Sequence, residues 1–415
     1  MKKINISNIT SVILIIYSLF AFTSFKKIGS PYIDGIQGNN LIYLIPIVLF
    51  IKFLTNSEKK INLKIVILFL IYIIYLLLNL IFNYNSQAFY SIMIIILPML
   101  LITSANKSEG KNVNQIIKVL VSLGLIYSIF IIFEFFFYNI IAQYFNLNTT
   151  ADYVTRHTTM LGSSITTSYY LLLNIPICFM GFHYFDKKWK KITIITIILS
   201  VFSIILEQSR ICFVILGIYL ILYFLLFGKK VKLSTKILAV LGIIFLLSWV
   251  MSNESLSRLY TDYSDNTSTQ TRISIIKIGF NEFLNKPILG SGISTYYKRL
   301  WHGESRYILI NGGLSLIDPH NIYIYILVEQ GIMGMMLFVT IFILIIKEYI
   351  KYMPKYIRIN TYILILGQLL AFYGGSQLIN EISYSTIFWN YMLILCSIGL
   401  YERSKKDETN SICNL

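Results

Sequence analysis

The stretch Ser315–Phe338 reads SLIDPHNIYIYILVEQGIMGMMLF, and it decides the fold class of the chain. Most of it is apolar and long enough to begin a membrane-crossing helix, since a bilayer core of roughly 30 Å needs about 20 helical residues. It nevertheless opens on a polar group that includes His320, and it carries Glu329 about 14 Å further along at 1.5 Å per residue. A carboxylate at that depth is costly unless it is paired or protonated.

Similar apolar runs recur along the whole 415-residue chain, which is 56% hydrophobic and has a mean hydropathy of +0.70. Soluble domains are closer to 45–50% apolar. We therefore predict an all-α polytopic membrane protein with about 12 transmembrane helices, each near the length that a bilayer requires. The predicted spans are 8–25, 40–54, 63–82, 88–104, 115–139, 164–184, 192–206, 210–228, 234–252, 319–346, 359–375 and 384–401.

The positive charges predict the orientation. Lysines fall in the short links between apolar runs, which is the positive-inside pattern of membrane proteins and no sign of nucleic-acid binding. If both termini are cytoplasmic, the cytoplasmic side holds 24 of the 35 Lys and Arg residues. We predict a multi-pass protein of the cytoplasmic membrane. Its regions are an N-terminal bundle (1–252), an extracytoplasmic loop (253–318), C-terminal helices (319–402) and a cytoplasmic tail (403–415).

Arginine follows a different pattern, because six of the eight Arg residues lie in predicted outer segments. Arginine suits two-pronged contacts to phosphate or carboxylate groups. Three of the even-numbered spans, which begin on the outer side, have polar starts, and helix N-termini attract anions. Ser209 is the expected N-cap of one, with Arg210 as its first helical residue; Asp318 is the expected N-cap of another, with Pro319 in its first turn. These features predict an outward-facing pocket for a phosphate or pyrophosphate.

His320 would occupy the second helical position, where the helix N-terminus favours the neutral imidazole that a general base needs. The alternative is a histidine that only makes a hydrogen bond at the helix end, and the same choice applies to Asn321. Glu329 lies nine residues on and points to the opposite face, so we interpret it as a partner in an interhelical hydrogen bond. Gly331 and Gly334 would allow close packing or a bend.

Two further features lie in predicted outer segments. Glu207 ends a helix there, where it would pair with an arginine or bind the acceptor. Residues 269–287, TQTRISIIKIGFNEFLNKP, have the helical period of an amphipathic helix, which we expect to lie on the membrane surface. A turn is expected at 288–294. The sequence shows no GxxxxGK[ST] loop, no HExxH and no outer cluster of Asp residues, so neither a metal nor a cofactor is predicted.

Three motifs resemble those of the O-antigen ligase and polymerase superfamily. EQSRICFVILGIYL (207–220) is similar to its span that begins with Ser-Arg. RISIIKIGFNEFLNKPILGSGIST (272–295) is similar to its amphipathic segment with Arg, Pro and Gly-x-Gly. DPHNIYIYILVEQGIMG (318–334) is similar to its His-Asn…Glu-x-Gly-x-x-Gly signature. The twelve-span layout and the large loop before the histidine also agree.

The resemblance implies a membrane-embedded, GT-C-like glycosyltransferase that is metal-independent and inverting. The implied donor is a glycan linked to undecaprenyl pyrophosphate on the outer side of the cytoplasmic membrane. Arg210 and Arg272 would bind its pyrophosphate, and His320 would activate the acceptor hydroxyl. Further substrate contacts are expected from Arg156, Asn321, Arg299, Arg306 and Glu207.

We predict a polymerase that joins lipid-linked repeat units into an O-antigen or capsule type of surface polysaccharide. Its partners would be the donor, a glycan acceptor, the lipid bilayer and a chain-length regulator protein, with no nucleic acid. One alternative is a ligase that transfers a finished glycan to another acceptor. Another is a lipid-linked oligosaccharide flippase, but a flippase should have two similar halves and short outer loops, and this sequence has neither.

Overall fold

A computed structural model describes residues 63–83, 92, 113–144, 164–207, 209–227, 267–293, 307–310, 313–316, 321–374, 391–392 and 394–406. This part of the chain is helical apart from one two-stranded sheet and the connections. The helices are α1 (Leu63–Phe82), α2 (Val113–Tyr144), α3 (Ser164–Tyr184), α4 (Lys187–Leu206), α5 (Arg210–Phe227), α6 (Thr267–Asn285), α7 (Ile322–Ile350), α8 (Lys355–Gly374) and α9 (394–406). The strands are β1 (Tyr307–Ile310) and β2 (Gly313–Leu316).

Four of the described helices are long and apolar enough to cross a membrane: Lys64–Phe82, Val113–Phe137, Lys187–Leu206 and Ile322–Ile350. Helices α1 and α3 have the bounds predicted for the spans 63–82 and 164–184. These observations confirm a helical membrane protein. The spans predicted at 8–25, 40–54 and 234–252, and nearly all of 88–104, lie outside the described residues. The count of twelve therefore stays a prediction.

Helix α4 begins earlier than predicted. It starts at Lys187 rather than at 192, so the lysines of this link are helical and only Phe185 and Asp186 connect α3 to α4. Asp186 is the N-cap, since its carboxylate accepts a hydrogen bond from the backbone N–H of Trp189 at 3.0 Å. Such a cap satisfies one of the otherwise unpaired N–H groups of a helix start.

Helix α3 forms the centre of the bundle. Every side chain from Thr167 to Gly181 except Phe179 is buried, and α3 packs against α2, α4, α5 and α8. The Asn174 side chain donates to the carbonyl of Leu120 in α2 at 3.1 Å. Peripheral helices instead expose apolar side chains; Ile81 in α1 is 71% exposed and Leu225 in α5 is 65% exposed. Exposed apolar surfaces of this kind suit a helix that faces lipid.

The predicted outer loop contains a β-hairpin, which is a correction to the purely helical expectation. Strands β1 and β2 are antiparallel, with Tyr307 opposite Leu316 and Ile310 opposite Gly313. The sequence contains a signal for this hairpin: an Asn-Gly pair at 311–312 separates two runs with apolar residues, and that pattern favours a tight hairpin.

Candidate functional site at one end of the bundle

Side-chain contacts place the starts of α3, α5 and α7 at the same end of the bundle. The Tyr223 hydroxyl near the end of α5 donates to Asn360 near the start of α8 at 2.8 Å. One turn earlier in α5, Tyr219 lies against Gly367, two turns later in α8, so the two helices run antiparallel. The Tyr323 hydroxyl at the start of α7 donates to the carbonyl of Leu369 in α8 at 2.9 Å. Helix α3 begins beside the end of α4, because the two form a hairpin. The three helix starts predicted to point outward therefore share one end.

The opposite end is rich in lysine. The ammonium group of Lys118 lies 5.1 Å from the ring centre of Trp189, so α2 and α4 begin together there. The Tyr184 hydroxyl at the end of α3 donates to Glu402 in α9 at 2.7 Å. Lysines in the first turn of α4 and in the α7–α8 link lie at this same end. Clustering of lysine at one end is what the positive-inside rule requires, and the assignment of that end to the cytoplasm stays a prediction.

The corner between α4 and α5 holds Glu207 and Arg210. Glu207 is the C-cap of α4; its N–H donates to Ser203 at 3.0 Å, and the residue is only 5% exposed. Arg210 is the first residue of α5, as predicted, and the first helical hydrogen bond runs from Phe213 N–H to the Ser209 carbonyl at 2.9 Å. Buried carboxylates require compensating charge or hydrogen bonds. The corner thus holds an acid and a half-buried arginine at a helix start.

The start of α7 differs from the prediction, which is wrong about the cap. Asn321, and not Asp318, is the N-cap, and the helix begins at Ile322 rather than at Pro319. The Asn321 side-chain oxygen accepts hydrogen bonds from the N–H groups of Tyr323 at 3.0 Å and Ile324 at 3.2 Å. His320 therefore directly precedes the cap rather than occupying the second helical position, and its own placement lies outside the described residues.

This capping role gives a direct prediction. Asn321→Ala should destabilise the protein by about 1 kcal/mol, because two helix N–H groups lose their acceptor, whereas Asn321→Ser should keep the cap. Thermal unfolding of the purified variants in one detergent measures the difference. An alanine variant as stable as the parent would contradict the role. A serine variant that folds normally but loses activity would show that the asparagine side chain also contacts substrate.

Helix α7 is broken at Gly331, and a loop fills the break. Gly331 has φ 65° and ψ −171°, a region that is essentially confined to glycine. The loop Pro287–Ile293, which we call the inserted loop, follows α6 and exchanges main-chain hydrogen bonds with both halves of α7. The four bonds are Ser291 N to Val328 O (2.8 Å), Gly292 N to Glu329 O (3.0 Å), Ile332 N to Pro287 O (2.9 Å) and Met333 N to Ile288 O (3.3 Å).

These four hydrogen bonds allow a broken helix to lie within a membrane. An interrupted helix leaves carbonyl groups unpaired before the break and N–H groups unpaired after it, and lipid cannot satisfy them. The inserted loop supplies donors to the first set and acceptors to the second. Gly290 and Gly331 permit the contact: a Cβ on Gly331 would lie 2.3 Å from the Ile288 carbonyl oxygen, and one on Gly290 2.5 Å from Glu329. The predicted bend at Gly331 is confirmed, and the predicted turn at 288–294 serves to dock onto α7.

Polar side chains of α1 hold the same junction from the other side. Tyr75 donates to the Gln330 carbonyl, and the Asn79 amide bridges the inserted loop by donating to Leu289 O and accepting from Ile293 N. The distances of the two Asn79 bonds are 2.8 and 3.2 Å. Tyr72 adds a bond of 2.8 Å to the Gln330 side chain. The junction consequently fixes α6 against α1 and α7.

Helix α6 combines this attachment with an exposed apolar surface. Ile273, Phe280 and Leu284 are each about half exposed, while Gly279 is buried and α6 packs against α7. Arg272 is a helical residue of α6, seven positions before the buried Gly279, and its side chain is not among those described. The apolar surface fits the predicted contact with the membrane interface.

The structure thus brings Glu207, Arg210 and Asn321 to the same end of the bundle. Arg272 lies in α6, which packs against α7 and is attached to the middle of α7 by the inserted loop. The remaining predicted site residues lie outside the described residues: Arg156, Arg299, Arg306 and His320. Sequence reasoning did not foresee the inserted loop, whose only local signals are Pro287 and the Gly-x-Gly at 290–292.

The intramembrane acids lie inside the protein, as a membrane helix requires. Glu329 and Glu134 are each 1% exposed, and the Glu329 carbonyl takes part in the exchange with the inserted loop. Charged residues within a bilayer almost always face the protein interior or an aqueous cavity. Glu329 therefore lies at the junction of α6 and α7, two turns into α7 rather than at its start.

These features define a polytopic membrane protein with polar helix starts gathered at one end and a broken helix that receives a loop. Residues 195–339, about a third of the chain, match a family model described as O-antigen ligase. The match confirms the relationship to the O-antigen ligase and polymerase superfamily, and it indicates glycosyl transfer related to polysaccharides. It extends from α4 through Arg210, α6 and the inserted loop to the second half of α7. A comparison with curated proteins found no match.

Proposed function

We propose that this protein is a polymerase of the cytoplasmic membrane that joins undecaprenyl-pyrophosphate-linked repeat units into a surface polysaccharide. The observation that carries the proposal is the coincidence of the O-antigen ligase match, residues 195–339, with the structural unit around the broken helix. That segment contains the arginine that begins α5, the helix that bears Arg272 and the start of α7 next to His320.

The proposed reaction needs two kinds of group. The acceptor oxygen attacks the anomeric carbon of the donor, the bond from that carbon to the pyrophosphate oxygen breaks, and the configuration inverts. Arg210 and Arg272 neutralise the charge that develops on the departing undecaprenyl pyrophosphate, a role suited to fixed guanidinium groups. His320 accepts the proton of the acceptor hydroxyl. No step requires a metal ion.

The supporting geometry is the common end of α3, α5 and α7. Their N-termini direct partial positive charge toward one region, which favours an anionic leaving group. Arg156 precedes α3 in the sequence, and Arg299 and Arg306 precede the hairpin, so all three belong to segments that connect to this end. Glu207 and Asn321 are proposed to contact the sugar groups, since carboxylates and amides hydrogen-bond hydroxyl groups well.

A ligase that transfers a finished glycan remains the second candidate, because the matching family model carries that description. We favour the polymerase on composition. The chain is rich in Ile, Lys, Asn and Tyr, a usage typical of low-GC genomes, many of which belong to Gram-positive organisms without lipopolysaccharide. A protein that sets the chain length is a proposed partner of the polymerase.

The proposal is tested with the purified protein and a lipid-pyrophosphate-linked repeat unit as the only substrate. Polymerisation should give a ladder of products that persists in EDTA. A single transfer to an added acceptor, without a ladder, would indicate the ligase instead. Movement of labelled lipid-linked glycan across a vesicle membrane without any new glycosidic bond would indicate the flippase and overturn the proposal.

The proposed orientation gives an independent prediction. An engineered cysteine at Ser305 should react with a membrane-impermeant maleimide added to intact cells, because that loop is assigned to the outside. A cysteine at Ser234 should react only after the membrane is permeabilised. Both cysteines are introduced into a Cys413→Ser background, which by itself serves as the labelling control, because the cysteines at 178, 212 and 396 are buried and Cys413 lies outside the described residues. Labelling of Ser234→Cys but not Ser305→Cys in intact cells would reverse the assigned orientation.

A further inference from the structure

Helices α7 and α8 enclose a groove that the proposed reaction does not use. Its volume is about 650 Å³, within the range of small-molecule sites. Toward one end the Tyr323 hydroxyl and the Leu369 carbonyl join the two helices. Apolar side chains, among them Phe338, Phe342, Ile343 and Tyr362, form the walls between that point and the α7–α8 link.

The end of the groove near the α7–α8 link is basic. Lys347, Lys351 and Arg358 contribute to its lining. Lys351 forms an ion pair of 2.7 Å with Glu348, and the hydrogen bond to that carboxylate raises the pKa of Lys351 above its usual value. Lys347 is exposed and Arg358 is half-buried, and neither has an ion pair with a carboxylate among the described residues. The Glu348 carboxylate neutralises one of the three cationic groups at this end of the groove, and two positive charges remain.

An apolar groove with cations at one end matches a molecule with a hydrocarbon chain and an anionic head. Within a bilayer the acyl chain is already surrounded by hydrocarbon, so its binding in the groove would rest on van der Waals packing against the apolar walls rather than on the hydrophobic effect. Basic pockets between transmembrane helices on the cytoplasmic side are suited to phospholipid head groups. The basic end of this groove is the lysine-rich end of the bundle.

We propose that the groove between α7 and α8 binds one anionic membrane phospholipid, with its phosphate against Lys347 and Arg358 and an acyl chain along Phe342 and Ile343. The polyprenyl donor is not the proposed occupant. Its pyrophosphate must reach the arginine at the start of α5, at the other end of the bundle, whereas the cations of the groove lie at the lysine-rich end. The phospholipid would thus be a structural ligand that is distinct from the substrate.

Native mass spectrometry of the delipidated protein, titrated separately with phosphatidylglycerol and with phosphatidylcholine of the same chain length, tests the proposal. We expect one phosphatidylglycerol to bind about 10- to 30-fold more tightly, the effect of two basic groups near a phosphate. The double variant K347Q/R358Q should lose this preference. K355Q is the matched control, since Lys355 is an exposed lysine one turn before Arg358 that does not line the groove.

A second variant distinguishes binding of the lipid in the groove from nonspecific attraction of an anionic lipid to the basic surface. Ile343 is 54% exposed and lines the groove, so Ile343→Trp should fill it without disturbing the buried core and should weaken the binding of both lipids. Equal binding of the two lipids by the parent, or an equal loss in K355Q, would overturn the proposal. Displacement of phosphatidylglycerol by inorganic phosphate would show that the apolar walls contribute nothing. Displacement by undecaprenyl pyrophosphate would assign the groove to the donor and likewise overturn it.

Discussion

Gly331→Ala is expected to lower the stability of the protein by several kcal/mol and to abolish glycosyl transfer. Non-glycine residues in such a backbone region cost about 1–3 kcal/mol. The added Cβ would also lie 2.3 Å from the Ile288 carbonyl oxygen, so the inserted loop has to move. Each main-chain hydrogen bond lost from the exchange costs about 0.5–1.5 kcal/mol more. Thermal unfolding in detergent and the polymerisation assay measure the two effects.

Gly217→Ala is the matched control. Gly217 also lies inside a membrane helix, α5, but a Cβ built there meets no atom within 4 Å. Alanine is favoured over glycine in a helix interior by up to about 1 kcal/mol, so this variant should be as stable as the parent or slightly more stable. Identical unfolding temperatures for the two variants would show that the break in α7 does not depend on glycine at 331.

Alanine at His320 and alanine at Arg210 are each expected to suppress polymerisation while the protein stays folded. Loss of a positioned general base lowers a rate by roughly 10²–10⁴-fold. Loss of one group that stabilises developing negative charge lowers it by about 10²–10³-fold. Arg210→Lys should recover only part of the activity, because an ammonium group cannot make the two parallel contacts of a guanidinium. Initial rates of ladder formation measure these effects.

The control for both substitutions is Lys355→Ala, which removes an exposed charge at the opposite end of the bundle and should leave the rate unchanged. Unfolding temperatures of all variants show whether the losses come from chemistry or from folding. Full activity in both His320→Ala and Arg210→Ala would remove these residues from the site. Loss of activity together with loss of folding in Arg210→Ala alone would assign that arginine a structural role at the α4–α5 corner.

Local patterns allowed several features to be predicted. The bounds of α1 and α3 follow from the lengths of their apolar runs, and the start of α5 follows from the Ser209–Arg210 pair. The cap of α7 was misplaced because Asp318 and Asn321 are both good N-caps three residues apart. Only the geometry of the chain selects Asn321, whose oxygen reaches two N–H groups.

The junction of α6 and α7 could not be predicted in this way. Its hydrogen bonds join main-chain atoms some 40 positions apart, and main-chain groups leave no residue-specific signal in the sequence. Gly331 indicated a bend, yet nothing in the sequence indicated that the loop after α6 would enter it. Polar residues of α1, such as Asn79, gave no indication either, because a single asparagine in an apolar run has many alternative uses.

Because main-chain hydrogen bonds join the inserted loop to α7 at Gly331, the junction depends on the number of residues in the loop more than on the identity of their side chains. Ile288 and Leu289 are 62% and 52% exposed, so other residues can replace them without disturbing the main-chain bonds. One inserted or deleted residue between Ile288 and Ser291 would instead put the two pairs of main-chain hydrogen bonds out of register with each other, so that both pairs could not form together. The junction is therefore specified by the number of residues in the inserted loop and by three glycines with positive φ, Gly290, Gly292 and Gly331, and it would survive extensive sequence divergence that preserved that spacing and those glycines.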